Sequence, residues 1–130
     1  MICDGWWSEA RALPSPNFNA RPGVPIDMLV VHSISLPPAC FGTGNVQQFF
    51  QNQLDCSAHP YFDEIRDMRV SAHVFIDRDG CPYQFVSFED RAWHAGASEF
   101  DGRSNCNDFA IGVELEGCDD VAYTEPQYDC

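Results

Sequence analysis

A histidine that closes an apolar run is the first residue whose type and position suggest chemistry. The segment MLVVHSIS, Met28 to Ser35, predicts a buried strand that leaves the core at His32. Open α/β sheets bind ligands at the carboxyl ends of their strands, and a neutral imidazole there suits zinc because its second nitrogen can donate to a carbonyl. A hydrogen-bonded core histidine is the alternative. This motif alone favours the alternative, since a single histidine carries little information.

Two carboxylates lie on one face of a second predicted strand, FAIGVELEG, Phe109 to Gly117. Alternation places Gly112, Glu114 and Glu116 on one face and the apolar side chains on the other. Mutual repulsion and partial desolvation would raise one pKa, as a general base or acid requires. Solvation of both carboxylates on an exposed face is the alternative, and the pattern does not decide between them. Gly112 indicates close approach by a ligand or by backbone.

An aromatic ring stands beside an imidazole in the long loop Glu89 to Asp108, where RAWHAG contains Trp93 and His94. Such a pair suits the face of a sugar or a peptide, although a tryptophan that pins the loop and a histidine that caps it would look the same. His73 and His59 fit structural roles better than ligand roles. The chain has no GxSxG nucleophile motif and no phosphate-binding glycine loop.

The sequence predicts that these residues are positioned by the elements of one α/β domain. Its predicted parts are an irregular, proline-rich leader over 1–27, the strand ending at His32, a helix over Val46–Leu54, a hairpin over Val70–Phe88 around Asp79-Gly80, the strand 109–117 and a helix with Thr124 as its N-cap. Together they predict a single mixed β-sheet of at least four strands, flanked by helices, over 28–130.

Composition narrows the possible partners and the compartment. The 130 residues carry 7 basic and 20 acidic side chains, a net charge of -13, which disfavours nucleic acid and anionic lipid. An anionic ligand would need local arginines, because the chain has no lysine. The 7 cysteines form no CxxC pair, which predicts free thiols in a reducing cytoplasm. No apolar run is long enough for a membrane span, and the N-terminus lacks the pattern of a secretory signal.

Seven stretches, in order along the chain, carry a resemblance to a known family. They are LPSPNFNARP, LVVHSISLPP, AHPYF, RVSAHVFIDRDG, RAWHAGAS, GRSNCNDFAIGVELEG and AYTEPQY. The sequence resembles the zinc-dependent N-acetylmuramoyl-L-alanine amidases. It is most similar to the branch that cleaves 1,6-anhydro-N-acetylmuramyl peptides during cell-wall recycling in Gram-negative bacteria. The resemblance implies an amidase or peptidoglycan-recognition-like fold and hydrolysis of the amide between the lactyl group of muramic acid and L-alanine.

The resemblance also assigns roles to residues. It implies that His32 is a zinc ligand and that Glu114 assists a zinc-bound water. Arg69 stands at a position expected to meet the stem-peptide carboxylates, and Trp93 and His94 are expected to line the substrate groove.

Two further substrate-binding positions depart from the family pattern. Ser33 replaces the asparagine that is more usual after the metal histidine. Arg103 is offset from an arginine often found just before the CNDF motif, where Asn105 stands.

The family's remaining zinc ligands, a histidine and an aspartate, and its catalytic lysine lie in a C-terminal segment that these 130 residues do not contain. We therefore expect the N-terminal part of an amidase domain that lacks its C-terminal segment, inactive as it stands, and a monomer that meets a small muropeptide. A non-catalytic muropeptide-binding module is the alternative. A metal site built from His32, His73 and His94 is a third hypothesis, although their spacing matches no known metal motif.

Overall fold

The computed structural model describes residues 1–130, and short strands dominate it. The strands are β1 (Ile2–Cys3), β2 (Trp6–Trp7), β3 (Arg11–Ala12), β4 (Phe18–Ala20), β5 (Met28–Ile34), β6 (Val74–Ile76), β7 (Pro82–Gln84), β8 (Asp90–Ala92), β9 (Glu99–Phe100), β10 (Arg103–Ser104) and β11 (Ala110–Glu116). The helices are α1 (Asn45–Phe50), α2 (Phe62–Ile65) and α3 (Glu125–Asp129), and one 3₁₀ turn covers Cys106–Asp108. None of these helices has the length and apolar character needed to span a bilayer.

Five strands form the central sheet in the order β3-β7-β6-β11-β5. β11 runs parallel to both β5 and β6, whereas β6 and β7 are antiparallel. The predicted single mixed sheet is therefore confirmed, with few and short helices beside it. The pairing of β5 with β11 sets His32 directly opposite Glu114, so the two residues named by separate motifs are neighbours in the sheet.

The hydrophobic core lies on the sheet face that also carries Glu114. Phe75 on β6 pairs with Glu114, and it packs in one cluster with Phe49 and Phe50 of α1 and Phe62 of α2. The predicted helix over 46–54 begins at Asn45 and ends at Phe50. Both helices therefore cover the face on which the candidate chemistry lies.

The predicted hairpin and the predicted helix start are both present. β6 and β7 pair across a turn in which Gly80 adopts a φ of 79°, and the Asp77 carboxylate accepts from the N–H groups of Asp79 and Cys81. Thr124 caps α3 in a capping box with Gln127. A side chain at residue 80 would meet the backbone of Pro126, so glycine there allows α3 to lie against the turn.

Residues 1–27, which we expected to be irregular, contain four short strands. β3 forms an edge of the central sheet beside β7, and β4 pairs with β8. The prolines fall between these strands and not within them. Backbone bonds from Leu13 to Gln84 and from Ser15 to Phe85 hold the segment in place, and such long-range pairing leaves no local pattern in the sequence.

The opposite face of the β5–β11 pair is apolar and open to solvent. Leu29 and Val31 are 63% and 56% exposed, and they pair in register with Ile111 and Val113. An apolar patch of this kind is unusual on the surface of a soluble protein.

Replacing Leu29 and Val31 together by threonine is expected to reduce the binding of a hydrophobic dye to the native chain. Threonine keeps the β-propensity while removing apolar surface, so the free energy of unfolding should change by no more than about 1 kcal/mol. Dye fluorescence and urea unfolding measure the two effects. The control pair is Val24→Thr with Val121→Thr, two exposed valines elsewhere. An equal loss of dye binding in the control would contradict the assignment of the patch.

Candidate active site

A groove of about 460 Å³ opens at the carboxyl ends of β5 and β11. Its polar wall contains Ser33, His94 and Glu114, and its apolar wall comes mainly from the two helices and the segment after them. Trp93 lines the same groove. The structure thus brings four of the site residues named from sequence to one place, at the strand ends where α/β sheets bind ligands.

Glu114 is a buried carboxyl group without a hydrogen bond. The residue is 8% exposed, and its Oε2 atom has no hydrogen-bond partner in the protein. Burial raises the pKa of Glu114 to about 8, because the apolar surroundings disfavour the ionised form. Such an unpaired group, aimed at a groove, is suited to accept or donate a proton in a reaction near neutral pH.

Glu116 differs from Glu114 although it lies on the same face and is also buried. Its carboxylate accepts from the backbone N–H of Gly42 at 3.0 Å and from that of Arg78 at 3.1 Å. These two bonds tie the loop after β5 to the β6–β7 turn. Of the two carboxylates that the strand pattern could not separate, Glu116 is structural and Glu114 remains free for chemistry.

His32 and His94 form a pair of imidazoles at the edge of the groove. His32 Nε2 lies 3.2 Å from His94 Nδ1, and the rings meet edge to face. Burial lowers the pKa of His32, and it lowers the pKa of His94 to about 3 with help from the nearby His73, His32 and Arg21. Both rings are therefore neutral at neutral pH. His94 also lines an adjoining cavity of about 320 Å³ together with His32.

His73 extends this row of rings into the core but is fully engaged in hydrogen bonds. Its Nδ1 accepts from the N–H of Gly112 at 3.0 Å, and its Nε2 lies 2.9 Å from the carbonyl of Asp90. Burial lowers the pKa of His73 to about 4. Because neither ring nitrogen is free, His73 is structural. No group of three or more histidine, cysteine or acidic side chains in the chain is arranged to hold a metal. The hypothesis of a site from His32, His73 and His94 is therefore wrong.

Of the residues at the groove, His32 is the one predicted to bind zinc. Its ring is neutral and its Nδ1 makes no hydrogen bond, which is the state a zinc-ligating imidazole needs. Catalytic zinc has three protein ligands, and the residues around His32 do not form such a set. His32 suits the role of one ligand, while the described residues do not complete the site.

The loop that carries Trp93 and His94 is fixed by a residue that the sequence analysis missed. The side-chain oxygen of Asn107 accepts from the backbone N–H groups of His94 at 3.2 Å and Ala95 at 2.9 Å. Trp93 donates from its ring N–H to Asn19 at 2.9 Å. The CND motif contains Asn107, but no local pattern reveals that its partner is a loop twelve residues earlier.

Arg69 and Arg103, the two predicted cations for a peptide carboxylate, do not line the groove. Arg69 is exposed and donates to the carbonyls of Arg66 and Met68 at 3.3 and 3.1 Å. Arg103 pairs with Asp27 at 3.1 Å, and its guanidinium stacks over the ring of Phe109. Substrate binding by Arg69 and Arg103 therefore stays a prediction.

Comparison with known proteins places this geometry in a family. Residues 22–130 match the family described as N-acetylmuramoyl-L-alanine amidase. The chain belongs to this family.

Two relatives have high identity over most of the chain. The chain is 54% identical over 125 residues to the 1,6-anhydro-N-acetylmuramyl-L-alanine amidase AmpD of Haemophilus influenzae, covering 95% of this chain and 68% of that protein. It is 52% identical over 129 residues to the protein of the same name from Escherichia coli K12, covering 98% of this chain and 70% of that protein.

Solved structures agree with the fold. The crystal structure of a selenomethionine AmpD derivative superimposes with a TM-score of 0.97 at 51% identity, over 99% of this chain and 73% of that one. A Drosophila PGRP-LB mutant in complex with tracheal cytotoxin shares the fold with a TM-score of 0.53 at 17% identity, over 89% of this chain and 62% of that one. The expected amidase or peptidoglycan-recognition-like fold is confirmed.

Proposed function

We propose that this chain carries the reaction centre of an amidase that acts in cell-wall recycling. The bond it cleaves is the amide between 1,6-anhydro-N-acetylmuramic acid and L-alanine in peptidoglycan fragments. The observation that supports this most directly is the unpaired, buried carboxyl group of Glu114, opposite His32 in the sheet and facing the groove. The names of relatives at 52–54% identity agree with this reaction.

Glu114 acts as the proton carrier in this proposal. Its carboxylate takes the proton of the attacking water and delivers it to the nitrogen of the leaving amine. A nearby positive charge would favour the ionised form that a base needs, against the burial that raises the pKa of Glu114 to about 8. Zinc, when bound with His32 as one ligand, would lower the pKa of the water and polarise the amide carbonyl.

The groove is suited to a sugar attached to a short peptide. Trp93 offers an aromatic face to a sugar ring, and Ser33 and His94 offer polar groups beside it. Arg69 and Arg103 are the proposed contacts for stem-peptide carboxylates, because a chain of net charge -13 needs local cations to hold an anion. The substrate is a small molecule and the chain acts as a monomer. The free thiols favour the cytoplasm.

A muropeptide-binding module without hydrolysis is the second candidate. It is favoured by one observation, that the described residues do not form a complete set of metal ligands. The groove and Trp93 would serve binding equally well. The two candidates differ in whether Glu114 matters for a chemical step.

A chimera with the Haemophilus influenzae relative separates the two candidates. The aligned 125 residues of that protein are replaced by those of this chain, and release of L-alanyl peptide from an anhydro-muropeptide is followed by chromatography. We expect hydrolysis by the chimera and a loss of about 10²–10⁴-fold with Glu114→Gln. The 130-residue chain alone is expected to bind the muropeptide without cleaving it. A folded chimera that binds but does not cleave would favour the binding module.

A further inference from the structure

The ring N–H of Trp93 is held outside the groove by Asn19 of β4. Trp93 Nε1 donates to the side-chain oxygen of Asn19 at 2.9 Å, and Asn19 is not among the residues that line the groove. Nε1 is the only polar atom of a tryptophan side chain, and it can only donate. With this bond made, the ring presents only carbon atoms to the groove, and a ligand there finds no donor on it.

A second donor fixes the orientation of the Asn19 amide. Arg91 Nη1 lies 3.4 Å from the same oxygen, and Arg91 forms an ion pair with Asp108 at 2.6 Å. Asn19 and Arg91 are directly opposite each other in the β4–β8 pair. Because both neighbours of the amide donate, its oxygen and not its nitrogen must face them. The contacts from Asp108 through Arg91 and Asn19 therefore end on the Trp93 ring and restrict its orientation.

The backbone of Trp93 is fixed separately from its ring. Its N–H donates to the hydroxyl of Ser71 at 3.1 Å, and its carbonyl accepts from the N–H of Ser71 at 3.0 Å. Ser71 is 1% exposed and donates in turn to the carbonyl of Asn17. Loss of the Asn19 contact would therefore allow the ring to change rotamer while the backbone stays in place.

The charges of the groove favour the sugar end of a muropeptide over its peptide end. No arginine lines the groove, whereas the acidic side chains Glu114 and Asp119 do. Arg91, two residues before Trp93, is already paired with Asp108. A stem peptide carries carboxylates, which this wall does not attract, while an anhydro sugar joined to the peptide through its amide is uncharged. The apolar face of a sugar ring also matches the carbon surface of Trp93.

We propose that Asn19 is a positioning residue that makes Trp93 the sugar-binding wall of the groove. Asn19 keeps the ring N–H away from the ligand and holds the ring in the orientation that meets the apolar face of the anhydro-muramyl unit. The anionic peptide part lies outside the groove. The assignment of the sugar rests on the proposed function, whereas the bond between Asn19 and Trp93 does not.

The N–H resonances of the tryptophan rings test this bond in the ligand-free chain. The chain has three tryptophans, Trp6, Trp7 and Trp93, and Trp93→Phe identifies the signal of the third. Asn19→Ala is expected to shift the Trp93 signal and to speed exchange of its proton with water. Asn19→Asp retains an acceptor and should keep the proton protected, and the signals of Trp6 and Trp7 report whether the fold is intact. An unchanged Trp93 signal in Asn19→Ala would overturn the proposal.

Three ligands measure what the contact contributes to binding. They are a 1,6-anhydro-muropeptide, the anhydro sugar without its peptide, and the free stem peptide, each titrated into the 130-residue chain by calorimetry. Asn19→Ala is expected to weaken binding of the first two about three- to tenfold, which corresponds to one hydrogen bond, and to leave the peptide unaffected. Asn19→Asp should restore the affinity for the sugar, since a carboxylate also accepts from the ring N–H. A loss that is as large for the free peptide as for the sugar would overturn the proposal.

A double-mutant cycle separates positioning from a general loss of structure. Trp93→Phe keeps an aromatic ring but removes its N–H. In that background, Asn19→Ala should change the affinity for the anhydro sugar by less than about twofold. An equal loss in both backgrounds would overturn the proposal, because Asn19 would then act by a route other than the Trp93 ring.

Failure of this inference can be distinguished from failure of the proposed function. If Asn19→Ala releases the ring N–H of Trp93 but weakens neither the muropeptide nor the sugar, the inference fails and the proposed amidase function is unaffected. If the wild type binds none of the three ligands, the proposed function and the sugar assignment fail together. The resonances of Trp93 then still decide whether Asn19 positions the ring.

Discussion

Glu114→Gln is expected to stabilise the metal-free chain strongly at alkaline pH and to change it little in acid. In the unfolded chain this carboxyl ionises with a pKa near 4.5, whereas in the folded chain burial raises the pKa to about 8. The wild type therefore loses stability as pH rises from about 4.5 to about 8, because only the unfolded state releases the proton in that range. Glutamine never ionises. The difference in the free energy of unfolding should approach about 3–5 kcal/mol at about pH 9 and be small at about pH 4.

Urea unfolding of both proteins at several pH values, with a chelator present, measures this difference. Other titrating groups, including His73, contribute equally to both proteins and cancel. Glu116→Gln is the matched control, since residue 116 is on the same strand face and only 4% exposed. Its amide group would place an N–H against the N–H of Gly42 or Arg78, so a loss of about 1–3 kcal/mol is expected near pH 7. A Glu114→Gln difference that does not grow with pH would show that Glu114 is already ionised in the folded chain.

Arg21→Lys is expected to destabilise the chain strongly, although Arg21 lies away from the groove. The guanidinium of Arg21 donates to the carbonyls of Phe88, Asn107, Asp108 and Ala110 at 3.0–3.3 Å. A lysine ammonium has three donors in a compact group and cannot span these acceptors. Several partly buried carbonyls would lose their partner, and we expect a loss of about 3 kcal/mol or more in the free energy of unfolding.

The control for Arg21 is Arg66, which forms an exposed pair with Asp63 at 2.5 Å. Arg66→Lys should change the free energy of unfolding by less than about 1 kcal/mol, because exposed ion pairs stabilise little. Thermal and urea unfolding measure both variants. Similar small losses in Arg21→Lys and Arg66→Lys would mean that water replaces the guanidinium and that Arg21 does not fasten the N-terminal segment to the core.

The local elements of this fold could be predicted because their signals are local. The apolar run before His32, the alternation in β11, the Asp79-Gly80 turn and the Thr124 cap each depend on neighbouring residues. The N-terminal segment could not be predicted in the same way. β3 and β4 consist of 2 and 3 residues, and their partners lie about 70 residues away, so only the folded chain specifies them.

The residues of the candidate site could be predicted from local signals, but their interactions could not. Sequence alone named His32, Glu114, Trp93 and His94, because strand ends, a carboxylate on a strand and the family motifs mark them. The strand pattern could not distinguish Glu114 from Glu116, and only the family resemblance singled out Glu114. The physical difference is whether the N–H groups of two distant loops reach the carboxylate.

Residue types were therefore determined by the sequence, and their environments by the tertiary structure. The close fit of His94 over Gly112 and its contact with His32 arise only when β5, β11 and the loop between β8 and β9 meet. The charges of Arg69 and Arg103 were evident from the sequence, but the groups they contact were not. Burial and hydrogen bonding set the pKa and the tautomer of a side chain, and both depend on atoms far away in the sequence.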